Sequence, residues 1–299
     1  MKLIPNCLII GAAAAVLPQI TEAQPTAHYV PGVEGILAAS LPPPGFYLRD
    51  YNVFYYADAL NDAGGNKIGA VDAKAFIYAN VPRFLWITDA QVLGGFLGVD
   101  ALLPLQYTDA DIKTPLGPFN SSTFGIGDFF IEGTWSKHIQ HFDFSLAYGI
   151  WTPTGDSAPA PTTRAGLGYW THMLTAGATW YIDADKKWAV SALNRYEFNM
   201  EKEDTDITPG QAYTLEWGVN RALGKTVNVG AVGYYQQKVT TDSGDGSSST
   251  RDRVGAAGPE VSVYCPKWEL NTSLRYLYEF MAESRFQGHT IALTLTKHF

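Results

Sequence analysis

Hydrophobic and polar positions alternate along nearly the whole chain. In "GHTIALTLTKHF" at 288–299, His289, Ile291, Leu293, Leu295, Lys297 and Phe299 share one face, and Thr290, Ala292, Thr294, Thr296 and His298 share the other. A period of two with one apolar face is a half-buried strand. Comparable segments run near 45–59, 68–87, 91–108, 124–137, 142–153, 168–182, 188–200, 211–221, 226–240, 253–265, 268–283 and 287–299, which predicts about twelve strands.

The connections alternate in length. "TDAQ", "HIQH", "DADKK", "ALGK" and "PK" are short, whereas "TDADIKTPLGPFNSS", "PTGDSAPAPTTRAGLG", "EKEDTDITPG" and "TDSGDGSSSTRD" are long and polar. Short turns at one end and long loops at the other distinguish a transmembrane β-barrel from a soluble sandwich. The expected fold is therefore all-β: a transmembrane antiparallel up-and-down barrel of about 12 strands, residues 45–299. The faces agree. Leu270, Thr272, Leu274, Tyr276, Tyr278 and Phe280 alternate with Asn271, Ser273, Arg275, Leu277 and Glu279. Phe129, Ile131 and Trp135 face opposite to Asp128 and Glu132. Aromatic residues gather near strand ends, as in the girdles of outer-membrane barrels.

Composition sharpens this picture. The 299 residues include 17 Tyr, 8 Trp and 29 Gly, charged residues make up only 17%, and the net charge is −8, which argues against a nucleic-acid partner. "MKLIPNCLIIGAAAAVLPQITEA" has the charged start, apolar run and small-residue exit of a signal peptide, so residues 1–23 are expected to direct export. Cys265 would then be the one remaining thiol, and no disulfide is expected. Export leads to the bacterial outer membrane, whose lipid is the first expected partner.

Parity places Asp128, Glu132, Arg195, Glu197, Glu216, Glu260, Arg275 and Glu279 in the lumen. Such charges either brace the wall through ion pairs or line a solute path and set its selectivity. Gly255, Gly258 and Pro259 on one strand mark a candidate kink for lateral exit through the wall. No cofactor is expected. "HIQH" places His138 and His141 in a turn, where they read as solvated turn residues, and "DSGDG" lacks the closing acid of an EF-hand, so no metal is expected either.

"PPPGFYLRDYNVFYY" at 42–56, "GIGD" at 125–128, "YGIWTPTGD" at 148–156 and "GPEVSVY" at 258–264 together resemble the family named for the meta-pathway of phenol degradation. Its members are regarded as outer-membrane barrels and transporters. The resemblance implies passive uptake of a small hydrophobic or aromatic solute, a role like that of the long-chain fatty-acid and toluene channels. Those fatty-acid channels carry an N-terminal plug. By analogy, residues 24–44 form either a periplasmic tail or a hatch that inserts Val33, Ile36, Leu37 and Leu41 into the lumen. The terminal strand ending at Phe299 resembles the signal read by the barrel-insertion machinery, with Lys297 the departure from it. Two other functions compete. A surface barrel could adhere through its outer loops, and an outer-membrane hydrolase would need a Ser–His arrangement. No His-x-Ser strand motif is present.

Overall fold

The structure, a computed structural model, describes residues 27–115, 117–156, 163–203 and 205–299. The expected signal peptide lies outside them. Fourteen strands form one antiparallel sheet. They are β1 (Gly45–Leu60), β2 (Asp72–Val92), β3 (Gly95–Leu102), β4 (Leu105–Thr114), β5 (Gly117–Ile126), β6 (Phe130–His138) and β7 (Phe142–Trp151). The rest are β8 (Tyr169–Tyr181), β9 (Trp188–Lys202), β10 (Ala212–Leu223), β11 (Val227–Lys238), β12 (Arg253–Cys265), β13 (Leu270–Glu283) and β14 (Phe286–His298). β1 pairs with β14 from Tyr47↔His298 to Leu60↔Phe286, which closes the sheet into a barrel. Closure spares the strands of that ring a free edge toward lipid, which cannot hydrogen-bond to it.

The closed wall has 12 strands, as the alternation predicts; the other two form a hairpin, β4–β5. The stretch "TDADIKTPLGPFNSS", read from sequence as an outer loop, supplies most of that hairpin. Its apolar positions are few, with Ala110 and Ile112 buried on β4, and Pro115 and Gly117 at the turn read as loop.

The hairpin creates a fork. β2 pairs with β1 from Gly45↔Ile87 to Ala57↔Ala75. Its other edge pairs with β4 over Asp72–Asn80 and with β3 from Arg83 onward. The change of partner falls at Val81 and Pro82, and Pro82 has no N–H to give to a ladder. Beyond the fork, β5 pairs only with β4. Along its free edge lie Asp156 and Thr163, from the described parts of the connection between β7 and β8. There, Asp156 N donates to Ile126 O at 2.7 Å, Ile126 N donates to Asp156 Oδ2 at 2.7 Å, and the Ser121 and Thr163 hydroxyl oxygens lie 2.9 Å apart. A side chain and a loop here replace a strand partner, making this the least regular seam in the wall.

The candidate kink lies elsewhere. β12 shifts register between Gly255 and Ala256, yet it pairs with β11 on one side and β13 on the other. The strand therefore carries a bulge, and its ladder to β13 passes over Gly258 and Pro259, which pair with β11 alone.

The outer surface is apolar and aromatic. Phe46, Phe84, Trp86, Trp180 and Trp188 are exposed toward one end, and Tyr56, Trp170, Tyr278 and Phe280 toward the other. These are the two girdles that flank a lipid-facing band.

Candidate functional site: a plugged lumen

Residues 27–44 run inside the barrel. Buried carboxylates of the wall accept hydrogen bonds from their backbone. Glu197 Oε1 accepts from the N–H of His28 at 2.9 Å and of Tyr29 at 3.2 Å. Glu216 Oε1 accepts from the N–H of Gly32 at 2.6 Å and of Glu34 at 3.4 Å, while Glu216 Oε2 takes the Tyr29 hydroxyl. Arg275 Nη1 donates to Gly32 O at 3.1 Å, and Gln236 Nε2 donates to Tyr29 O at 2.9 Å. A non-helical, non-strand segment leaves its backbone groups unpaired, and such groups must find partners when buried. The lumen side chains are those partners.

The exchange also runs the other way. Glu34 is the acid of the inserted segment, and three wall guanidinium groups converge on it. Arg49 lies at 2.9 Å, Arg83 at 2.8 Å and Arg195 at 3.0 Å. Arg83 in addition makes a fork with Asp100, at 2.8 Å from both Nε and Nη2, and reaches Glu132. Burial alone would push the Glu34 carboxyl up, but the charges of Arg83, Arg195, Arg49 and Arg275 outweigh it and hold the group at about 2.

Apolar contacts complete the seat. Val33 packs against Phe130, Trp151 and Met173 on one side and against Tyr51, Val53 and Ala292 on the other. Ile36, with Leu37 beside it, joins Val232, Val254, Ala256 and Leu277. Leu41 is half-buried and joins none of these clusters. Glycines in the wall make room for the segment. A Cβ on Gly218 would lie 2.7 Å from Ile36 Cα, and one on Gly230 would lie 2.8 Å from Ile36 Cγ2. Gly35 itself has φ +83°, and a Cβ there would lie 2.7 Å from both Glu260 oxygens, so this position excludes any side chain on two grounds.

All eight lumen residues singled out from sequence are buried and face inward. They do not form one site. Glu197 and Glu216 grip the inserted backbone, Arg195 and Glu132 belong to the Glu34 cluster, and Glu260 pairs with Arg275 at 3.2 Å beneath Gly35. Glu279 stands apart, accepting from the Tyr55 hydroxyl at 3.0 Å, the Tyr234 hydroxyl at 2.9 Å and Gly288 N at 2.7 Å. Asp128 joins three elements: His28 Nε2 lies 2.9 Å from its Oδ2, Leu167 N donates to the same oxygen at 2.7 Å, and Gly155 N donates to Oδ1 at 2.9 Å. The sequence reading missed Glu34, Arg49, Arg83 and Asp100. Arg49 and Arg83 do fall on the inward parity of their strands, which was the available signal.

Beside the inserted segment lies a cavity of about 260 Å³. Val53, Ile77, Ala79, Val81, Leu102, Pro104, Phe130, Trp151 and Met173 give it apolar walls, and Glu34, Arg83, Asp128, Glu132, Arg164, Arg195, Glu279 and Arg285 also line it. It also touches Ala165 and Leu167 and so reaches the inner side of the seam. Among the described residues, no group of three or more His, Cys, Asp or Glu side chains is placed to hold a metal.

The fold and this lumen define an outer-membrane β-barrel with a non-strand segment seated inside it. Residues 57–295 match the family described as "Putative MetA-pathway of phenol degradation", and the chain belongs to that family. Among solved structures it is similar to the COG4313 outer membrane channel from Pseudomonas putida F1, with a TM-score of 0.75 at 14% identity over 87% of this chain and 97% of that one. It also aligns with the beta domain of the Bordetella autotransporter BrkA, at a TM-score of 0.47 and 13% identity over 86% of this chain and 100% of that one. No curated protein matches it in sequence.

Proposed function

We propose that the protein is an outer-membrane channel for passive uptake of small apolar or aromatic compounds, with residues 27–44 as its hatch. The observation that carries this reading is the apolar cavity set against a polar latch. A cavity of about 150 Å³ with apolar walls is large enough to hold benzene, so about 260 Å³ admits a substituted aromatic ring. The polar contacts of the hatch, its ion pairs and hydrogen bonds, can be replaced by water when the hatch leaves. The Glu34 cluster closes the path below the cavity. The seam at β5 offers a sideways exit into lipid from the same cavity, and a solute that prefers hydrocarbon to water has reason to take it.

Permeation into liposomes tests this. Entry of phenol is compared with that of a sugar of similar size, with protein-free liposomes as background and a chain lacking residues 24–41 as the open form. Protein-dependent entry that favours phenol is the expected result. Equal entry of both solutes would make the protein a general small pore. An unchanged conductance in the shortened chain would remove the hatch.

A further inference from the structure

One polar cluster lies on the wrong side of the wall. On β1, Tyr51 and Val53 are buried in the lumen, so Asp50 and Asn52 face outward. Their pair partners are Pro82 and Asn80 on β2 and Leu295 and Leu293 on β14, all on the outer face. Toward one end of these strands Phe46 pairs with Trp86, and toward the other Tyr56 pairs with Phe76. Asp50, Asn52 and Asn80 therefore lie between the aromatic girdles, in the band that meets hydrocarbon.

The cluster is internally bonded but unbalanced. Asn80 Nδ2 donates to Asp50 Oδ1 at 2.8 Å and to Asn52 Oδ1 at 3.2 Å. Asn52 Nδ2 donates to Asp50 Oδ2 at 2.8 Å, and the Tyr78 hydroxyl donates to Asn52 Oδ1 at 3.0 Å. A carboxylate offers about four acceptor sites, and Asp50 uses two of them here. None of the ion pairs among the described residues involves Asp50, and its neighbour Arg49 points inward to Glu34. What remains is spare acceptor capacity and an acidic group facing a medium that supplies neither water nor a counter-charge. Acidic residues on the lipid face of a barrel are destabilising. The fork lies alongside, since Asn80 pairs with Leu105 and Leu103 N points to Pro82 O at 3.4 Å.

We propose that Asp50, Asn52 and Asn80 form a lipid-facing binding site for the hydrogen-bond-donating head of an otherwise apolar molecule, a hydroxyl or a protonated amine. Resting on the channel reading above, this site receives a solute that has left through the wall near the fork and holds its polar end until it diffuses into the bilayer. A hydrocarbon without a donor gains nothing from it. The site therefore sorts solutes by their polar end after the cavity has sorted them by their apolar body.

The test uses the full protein in lipid nanodiscs with three membrane-soluble spin labels of equal length, carried on a phenol, on a protonated alkylamine and on a plain hydrocarbon. Electron paramagnetic resonance reads the immobilised fraction. The two donor-bearing probes should be immobilised several-fold more than the hydrocarbon. Asp50→Leu should bring them down to its level, while heat-modifiability on gels shows the barrel still closed. Asp50→Asn keeps the shape and should spare the phenol more than the amine. Equal immobilisation of all three probes, or no effect of Asp50→Leu, overturns the proposal. So does a wild-type dimer that Asp50→Leu dissolves without any change in probe binding, since the patch would then be a subunit interface. Phenol permeation measured on the same proteins separates the two readings. Probe selectivity without flux would leave the site standing and remove the channel, and flux without probe selectivity would do the reverse.

Discussion

His28 Nε2 and Asp128 Oδ2 lie 2.9 Å apart, and the same carboxylate accepts the backbone N–H groups of Gly155 and Leu167. One side chain thus ties the hatch to the connection between β7 and β8. Asp128→Ala should loosen both, because it strands three donors at once, at about 1–3 kcal/mol for each buried group left unpaired. His28→Ala removes one of the three and should release the hatch more than the seam. Hydrogen exchange of residues 27–44 and 163–168 in each variant checks the difference.

Glu34 is the common counter-ion of Arg49, Arg83 and Arg195. Glu34→Gln removes the carboxylate that these three buried guanidinium groups share, and breaking a buried pair costs about 3–5 kcal/mol. Planar-bilayer recordings should show frequent openings in place of a steady closed level.

The acid dependence of that contact has a definite sign. The carboxyl of Glu34 is held at about 2, below its ordinary 4.5. Its contribution to seating is therefore complete above about 4.5 and is lost only as pH falls through about 2. The difference in open probability between wild type and Glu34→Gln should stay constant from pH 7 to about 4.5 and shrink below that. A difference that vanished near pH 6 would show that Glu34 is not the anchoring charge.

Gly218 is a steric test of the seat. A valine there drives Cβ to 2.7 Å from Ile36 Cα, so Gly218→Val should unseat the hatch and raise conductance with the barrel still folded. Gly133→Ala is the control, since a Cβ at Gly133 meets nothing within 4 Å.

The sideways route can be locked. With the Ser121 and Thr163 hydroxyl oxygens 2.9 Å apart, Ser121→Cys with Thr163→Cys should cross-link that connection to the edge of β5 under oxidation. Entry of phenol should then fall several-fold and recover on reduction, while small-ion current through the lumen stays the same. Unchanged entry of phenol would place the exit elsewhere.

The wall was legible in the sequence wherever lipid and lumen impose opposite demands on successive residues. In "WELNTSLRYLYEF" every second position is apolar because it meets hydrocarbon, and parity alone turns Arg275 and Glu279 inward. The β4–β5 hairpin was hidden because only Ala110, Ile112 and Phe119 give its outer portion an apolar side among Asp, Thr, Ser and Asn, and the Pro and Gly of its turn read as loop. The Glu34 cluster was hidden for another reason. Glu34 stands 49 positions from Arg83 and 161 from Arg195, and an irregular segment has no periodicity from which to infer which wall residues it meets.

Part of the wall's grip on the hatch is on main-chain atoms: the N–H groups of His28, Tyr29 and Gly32 and the carbonyls of Tyr29 and Gly32. Every polypeptide carries those atoms, so this part of the grip follows the path of the segment and not its spelling. The spelling counts where side chains are held: the His28 ring on Asp128, the Tyr29 hydroxyl on Glu216, the charge of Glu34, and Val33 and Ile36 in their apolar seats.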